Sequence, residues 1–301
     1  MVETRERPLN KNQEYASAAR LFGLIGYPVA HSVSPQMMSA AFTAMSIKAY
    51  YVPYPVHPER LEDALKGLAA AGCLGLNVTI PHKESVFARV SERTEIAQKA
   101  GAVNTLLWDG MQWIGHNTDV DGWWSSVKSD FSIQETKRVL LLGAGGAARA
   151  IVTALAKYAP GTRVQITSPS GKAVNWIHPF SRHLEVNFVS WANRHQDLDS
   201  YEWIINATPV GMWPNIDESP LEQIDGLHAG QIVQDIVYRP LQTKFLLDAK
   251  KQGAKVLDGV TMLAGQGAES LQFWLSAPAP LLEMETAARQ ALLSDNSRSS
   301  K

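Results

Sequence analysis

The sequence predicts an α/β fold in two domains with mainly parallel sheets. Three observations carry this. Short apolar runs alternate with helical stretches along the whole chain, as strands joined by helical crossovers require. A glycine-rich stretch, Gly143 to Ala148, stands between an apolar run and a helix. The 301 residues, 45% apolar and 19% charged, suffice for two ordinary cores.

The elements follow in order. Leu21 to Gly26 reads as a first strand, Pro35 to Met45 as a helix and Lys48 to Val56 as a second strand. Glu59 to Ala71 is helical, Gly75 to Thr79 a short strand, and Pro81 opens a further helix. Asn104 to Trp108 and Met111 to Gly115 flank Asp109-Gly110, a hairpin signal, because a type I′ turn needs positive φ at both positions. That pairing sets Asn104 beside Gly115 and close to Asn117-Thr118-Asp119. A helix from Val120 to Ser129 leads to the strand Arg138 to Leu142, and strands recur at Val164, Val186, Trp203 and Ile232. The last segment, Thr261 to Leu293, is helical and folds back on the first domain. Residues 20–119 with 259–293 therefore form one domain and 120–258 the other, with 1–19 and 294–301 as terminal extensions.

Net charge is −1, with 28 basic and 29 acidic residues, so no bulk attraction to nucleic acid or anionic membrane is expected. The single cysteine, Cys73, allows no internal disulfide and reads as a small core residue. The first twenty residues lack an apolar core and do not read as a signal peptide. The longest apolar run, Val139 to Ala156, is broken by glycines and Arg149, so no membrane span is expected. A cytoplasmic protein is the expectation. No residue cluster has metal-ligand spacing, so no metal is expected.

Four segments carry chemistry. In Gly143, Ala144, Gly145, Gly146, Ala147 and Ala148, glycines let the backbone turn tightly and approach a pyrophosphate at the positive end of the following helix. The plainer alternative is a turn without a ligand. After the second strand of that series comes Ser168-Pro169-Ser170-Gly171-Lys172, with no acidic residue to take a ribose 2′-hydroxyl. Ser168, Ser170 and Lys172 can donate to a 2′-phosphate, which favours NADP over NAD, against the alternative of a plain turn. Ser32 and Ser34-Pro35 place hydroxyls beside a helix start, where Ser34 is the expected N-cap; they form either a carboxylate cradle or a cap alone.

Asn77 to Lys83 puts Lys83 in a first helical turn, where a cation opposes the helix dipole; it is either a functional amine or a solvated surface lysine. Asp119 stands at the next helix start, as a cap or as a partner for such a lysine. His116 reads as structural.

Taken together these segments resemble the shikimate dehydrogenase family over nearly the whole chain after residue 20. The resembling stretches are Gly26–Pro35, Gly75–Lys83, Gly101–Thr105, Asn117–Gly122, Gly143–Ala150, Asn206–Met212, Asp235–Leu241 and Gly259–Gln266. The resemblance implies an N-terminal substrate-binding α/β domain, a Rossmann-type NADP-binding domain and an active site in the cleft between them. It implies Lys83 and Asp119 as the catalytic pair and Ser32 and Ser34 on the substrate carboxylate. Thr79, Asn104, Tyr238 and Gln266 would then meet ring hydroxyls. Ala207, Thr208, Met212, Ile236 and Gly259 would line the nicotinamide, with Glu95 toward the cofactor.

Two departures stand out. The family carries Asn-Arg-Thr where this chain has Ser168-Pro169-Ser170, so the clamping arginine is missing and Lys172 is the nearby cation in that segment. Met38-Ser39 replaces a polar pair in the first helix. The expected activity is reversible NADP-linked reduction of 3-dehydroshikimate to shikimate by a monomer or homodimer. An NAD-dependent quinate/shikimate dehydrogenase and a catalytically silent dinucleotide-binding regulator are the alternatives.

Overall fold

The computed structural model describes residues 19–130, 137–170 and 175–299. Gly171 and Lys172, and with them one half of the expected phosphate turn, lie outside the described residues.

The first sheet is built from β1 (Arg20–Gly26), β2 (Ala49–Pro55), β3 (Cys73–Val78), β4 (Glu92–Arg93), β5 (Thr105–Trp108) and β6 (Trp113–His116). Its strand order is β2-β1-β3-β5-β6-β4. β1 runs parallel to β2 and β3, whereas β5 runs antiparallel to both β3 and β6. Helices α1 (Ser34–Ala44), α2 (Leu61–Ala70), α3 (Lys83–Arg89) and α4 (Glu95–Ala100) connect these strands.

α5 (Asp119–Val127) leads into the second sheet, which contains β7 (Arg138–Leu142), β8 (Arg163–Thr167), β9 (Glu185–Val189), β10 (Trp203–Asn206), β11 (Ile232–Asp235) and β12 (Lys255–Leu257). The order β12-β11-β10-β7-β8-β9 is parallel throughout. β7 lies at the centre, so the chain winds outward in both directions from the gap between β7 and β10. This is the Rossmann order, and the crevice above its reversal point is where such sheets take dinucleotides. β7 is buried on both faces, which explains its unbroken Val-Leu-Leu-Leu run. The glycine-rich turn then opens α6 (Gly146–Tyr158), and α7 (Lys244–Lys251) covers the far side of the sheet beside β11 and β12.

The C-terminal segment is two helices, α8 (Gly259–Leu275) and α9 (Leu281–Ser299), rather than one; Ser276 at φ 51° ends the first of them. α8 packs on the first sheet and α9 on α1 and α8, so that Trp274 and Met284 share a core with Phe22, Met37 and Phe42. α9 runs on to Ser299, past the tail expected from residue 294. α8 also crosses α5 at backbone contact. A Cβ on Gly122 would stand 2.5 Å from the Gln266 nitrogen, and one on Gly265 would stand 2.6 Å from the Gly122 carbonyl. Only glycine admits that approach.

Two local expectations shift. The hairpin closes through four residues, Asp109 to Gln112, with Trp108 paired to Trp113 and Thr105 to His116. A two-residue type I′ turn is displaced because the Asp109 carboxylate accepts the backbone N–H groups of Met111 and Gln112 at 2.8 and 2.9 Å. Asn104 accordingly lies one step beyond the Thr105–His116 pair, opposite Asn117, and not beside Gly115. Pro81 does not open α3: the N–H of His82 donates to the Thr79 carbonyl, a turn closes first, and the helix begins at Lys83.

Candidate active site

The ends of β3, β5 and β6 and the starts of α3 and α5 converge. Lys83 is the first residue of α3 and Asp119 the first of α5. The Lys83 ammonium donates to Asp119 Oδ2 at 2.5 Å; its side chain is 24% exposed and that of Asp119 7%. Asp119 is not the N-cap, a position held by Thr118, so its carboxylate is free for the lysine. The pair is partly desolvated, which strengthens its coupling relative to a surface ion pair. The Lys83 side chain still meets solvent along part of its surface.

Below the pair lies a buried polar network. Asn104 Oδ1 accepts the backbone N–H of Thr118 at 2.7 Å, while Asn117 Oδ1 accepts that of Asp119 at 3.1 Å. Asn77 Nδ2 donates to Thr105 and Ser270, and Ser270 in turn lies within 3.2 Å of the Thr118 hydroxyl. Ser270, from α8, is fully buried. The sequence reading missed it, because a lone serine in a helix carries no signal and its partners lie as many as 193 residues away.

On the other side, α1 begins at Ser34 with Val33 at the N-cap, so Ser34 does not cap. Instead the N–H of Ser34 donates to Ser32 Oγ at 3.2 Å. The Tyr238 hydroxyl shares a hydrogen bond with Ser32; burial raises its pKa, with Arg239 nearby opposing that shift. Ser32, Ser34 and Tyr238 therefore form one hydroxyl cluster. Thr79 ends the β3 connection, packed against Gly26, and Gln266 sits on α8, where it donates to the Leu263 carbonyl. The His31 ring lies tilted against Trp213 with centroids 4.8 Å apart, and Arg239 donates to the His31 carbonyl. These contacts join the loop after β1 to the segments after β10 and β11.

The glycine-rich turn faces open space. Gly143, at φ 125°, lies against the Ala207 carbonyl, where a Cβ would come within 2.7 Å. Cβ atoms built on Gly145 and Gly146 would meet nothing within 4 Å, and α6 starts there with no side-chain cap. A phosphate fits this cradle of free N–H groups. Ala144 and Ala147 flank it. The buried Thr167 hydroxyl at the end of β8 has no hydrogen-bond partner among the described residues, and beside it Ser168 and Ser170 share a hydrogen bond of 3.0 Å. A dinucleotide laid across this sheet edge would supply the acceptor these groups lack.

Thr208 is held by Asn206 Oδ1 at the end of β10. Met212 is half-exposed in the loop that follows, Ile236 comes directly after β11, and Gly259 packs against the Ile236 carbonyl. Asp235, fully buried, accepts from Asn206, Val237 and Thr243, yet burial pushes its pKa up to about 7. Glu95 is exposed and paired with Lys99 at 2.6 Å. His116 is desolvated, with its pKa lowered to about 4, and bonds Thr94. Among the described residues no cluster of His, Cys, Asp and Glu can hold a metal, and no helix is long and apolar enough to cross a membrane.

Fold and site define a class: a two-domain α/β protein with a Rossmann sheet and its glycine-rich turn, and with a lysine–aspartate pair at two helix starts. The family model for the shikimate dehydrogenase substrate binding domain matches residues 24–106. A shikimate dehydrogenase (NADP(+)) of Synechocystis sp. is 40% identical over 284 residues, which span 91% of this chain and 95% of that protein. A solved shikimate dehydrogenase in complex with NADP+ superposes with a TM-score of 0.84 at 36% identity, covering 91% of this chain and 96% of the other. The shikimate 5-dehydrogenase of Thermus thermophilus, in complex with NADP(H) and shikimate, gives 0.81 at 33% identity, covering 91% and 100%. The chain belongs to the shikimate dehydrogenase family.

Proposed function

We propose that this chain is an NADP-dependent shikimate dehydrogenase that interconverts 3-dehydroshikimate and shikimate. The observation that carries the reading is the partly buried Lys83–Asp119 pair at 2.5 Å. The relatives, named for this activity and solved with these ligands, support it. Bound NADPH supplies the hydride. The protein contributes position and proton transfer.

Ser32 and Ser34 receive the substrate carboxylate, while Thr79, Asn104, Tyr238 and Gln266 meet the ring hydroxyls. Lys83 donates a proton to the carbonyl oxygen as negative charge develops on it, so that ketone becomes alcohol and the lysine is left neutral. Asp119 orients the amine and stabilises its charged form. The exposed flank of Lys83 lets solvent restore the proton. In the oxidative direction the neutral amine takes the hydroxyl proton. A silent regulator has no use for a partly desolvated lysine–aspartate pair.

One observation favours the NAD-dependent quinate-type reading: Pro169 stands where the family's clamping arginine is expected. Initial rates with NADP+ and NAD+ on shikimate and on quinate decide between them. The expected result is turnover of shikimate with NADP+ preferred. Equal use of NAD+ would move the quinate-type reading ahead, and no turnover of either substrate would sink both.

A further inference from the structure

The glycine-rich turn carries a charge that the mechanism leaves unused. Arg149 lies in the first turn of α6, and helix side chains lean back toward the N-terminus. Its guanidinium lies on the backbone of Gly101 in the other domain, so close that a Cβ there would overlap it. Gly101 also needs positive φ, 59°, as the left-handed cap of α4. The Trp176 ring flanks the guanidinium at 5.6 Å. Nε is buried and has no hydrogen-bond partner among the described residues. Burial lowers the pKa of Arg149, and only the field of Glu84 opposes that.

A clamped cation beside the positive end of a helix is unfavourable unless an anion joins them. Trp176 belongs to the turn Asn175–Phe180, which follows β8 and the Ser168–Ser170 pair. That is the edge where a Rossmann sheet reads the adenosine ribose, away from β10 and β11 where a nicotinamide would lie. The Trp176 contact thus ties the guanidinium to the segment that follows the ribose-side strand. The pyrophosphate already has the free N–H groups of the turn.

We propose that Arg149 is the guanidinium that binds the 2′-phosphate of NADP in this chain, steadied by Trp176 and Gly101, in place of the arginine that Pro169 replaces. The proposal rests on the NADP reading above. A planar fork gives paired charge-assisted hydrogen bonds that a lysine cannot reproduce.

Calorimetric titration of wild type, Arg149→Gln, Arg149→Lys and Trp176→Leu with NADP+, NAD+ and 2′,5′-ADP tests it, with ligand-free melting temperatures alongside. Arg149→Gln should weaken NADP+ and 2′,5′-ADP by about 10–100-fold and leave NAD+ unchanged, as loss of a charge-assisted pair implies. Arg149→Lys should recover part of the loss, and Trp176→Leu should move affinity in the same direction as Arg149→Gln. The ligand-free melting temperature of Arg149→Gln should hold or rise, because an unpaired buried donor is removed. Equal weakening of NAD+ and NADP+ would put Arg149 on the pyrophosphate and overturn the proposal. So would a fall in melting temperature with uniform loss of binding, which marks a structural role. A wild-type preference for NADP+ that Arg149→Gln leaves intact overturns the proposal alone. A wild type that holds NAD+ as tightly as NADP+ overturns the NADP reading and the proposal with it.

Discussion

Asn104 grips Thr118 with both ends of its amide: Oδ1 accepts the Thr118 backbone N–H at 2.7 Å, and Nδ2 donates to the Thr118 hydroxyl at 3.0 Å. Thr118 holds the N-cap position of α5 and Asp119 follows it, so a residue proposed to meet substrate also fixes the carboxylate that holds Lys83. Asn104→Ala should therefore lower kcat as well as raise KM for shikimate. Small misplacement of catalytic groups costs on the order of 10²-fold, and kcat/KM should fall by about that much. A change confined to KM would limit Asn104 to binding.

Lys83→Ala removes the proton donor and leaves the hydroxyl cluster intact. We expect kcat to drop by roughly 10²–10⁴-fold with KM for shikimate little changed. Steady-state rates in both directions are the measurement, and near-normal turnover would remove Lys83 from the mechanism.

Ser32→Ala with Ser34→Ala deletes the hydroxyls from the mouth of α1 without touching the Lys83–Asp119 pair. KM for shikimate should rise while kcat holds, since uniform binding is lost. An unchanged KM refutes the carboxylate cradle.

Gly122→Ala drives a methyl into the Gln266 backbone at 2.5 Å, where no side chain can move aside. Overpacking of this kind costs about 1–3 kcal/mol, to be read by denaturant unfolding. Because α8 carries Gln266 and Ser270, KM should rise as well. A variant of unchanged stability would mean that α5 and α8 slide freely.

Asp235 supplies a pH signature. Its folded-state pKa, about 7, lies above the ordinary 3.8, so the folded protein holds a proton that the unfolded chain releases between those values. Its contribution is fully present below pH 3.8 and is lost as pH rises through 7. His116 works the other way: its folded pKa of about 4 means stability is lost as pH falls from 6.5 through 4. Asp235→Asn removes only the first effect. Relative to wild type, the variant's melting temperature should climb with pH from about 4 to 7 and then level off. A constant difference across that range would show that Asp235 is ionised throughout.

Much of this was legible in the residues. The alternation of apolar runs with helical stretches marked an α/β fold with mainly parallel sheets, because a strand buried on both faces must be apolar without interruption, as Val139 to Leu142 are. Lysine at a helix start, an unusual choice against the dipole, marked Lys83 before any partner was known. The hairpin brought Asn104 near Asp119, although the register was misjudged because the Asp109 side chain rebuilt the turn.

The sequence by itself determined the kind of each element and the chemistry each could offer, since propensity, capping and glycine conformation act over a few residues. Only the tertiary structure decided which of those groups meet. Lys83 and Asp119 are 36 residues apart, Asn77 and Ser270 are 193 apart, and Arg149 reaches Gly101 across the cleft. None of these pairings has a local signal. They exist because two sheets and the α5–α8 crossing bury enough apolar surface to hold polar groups together that would otherwise stay in water.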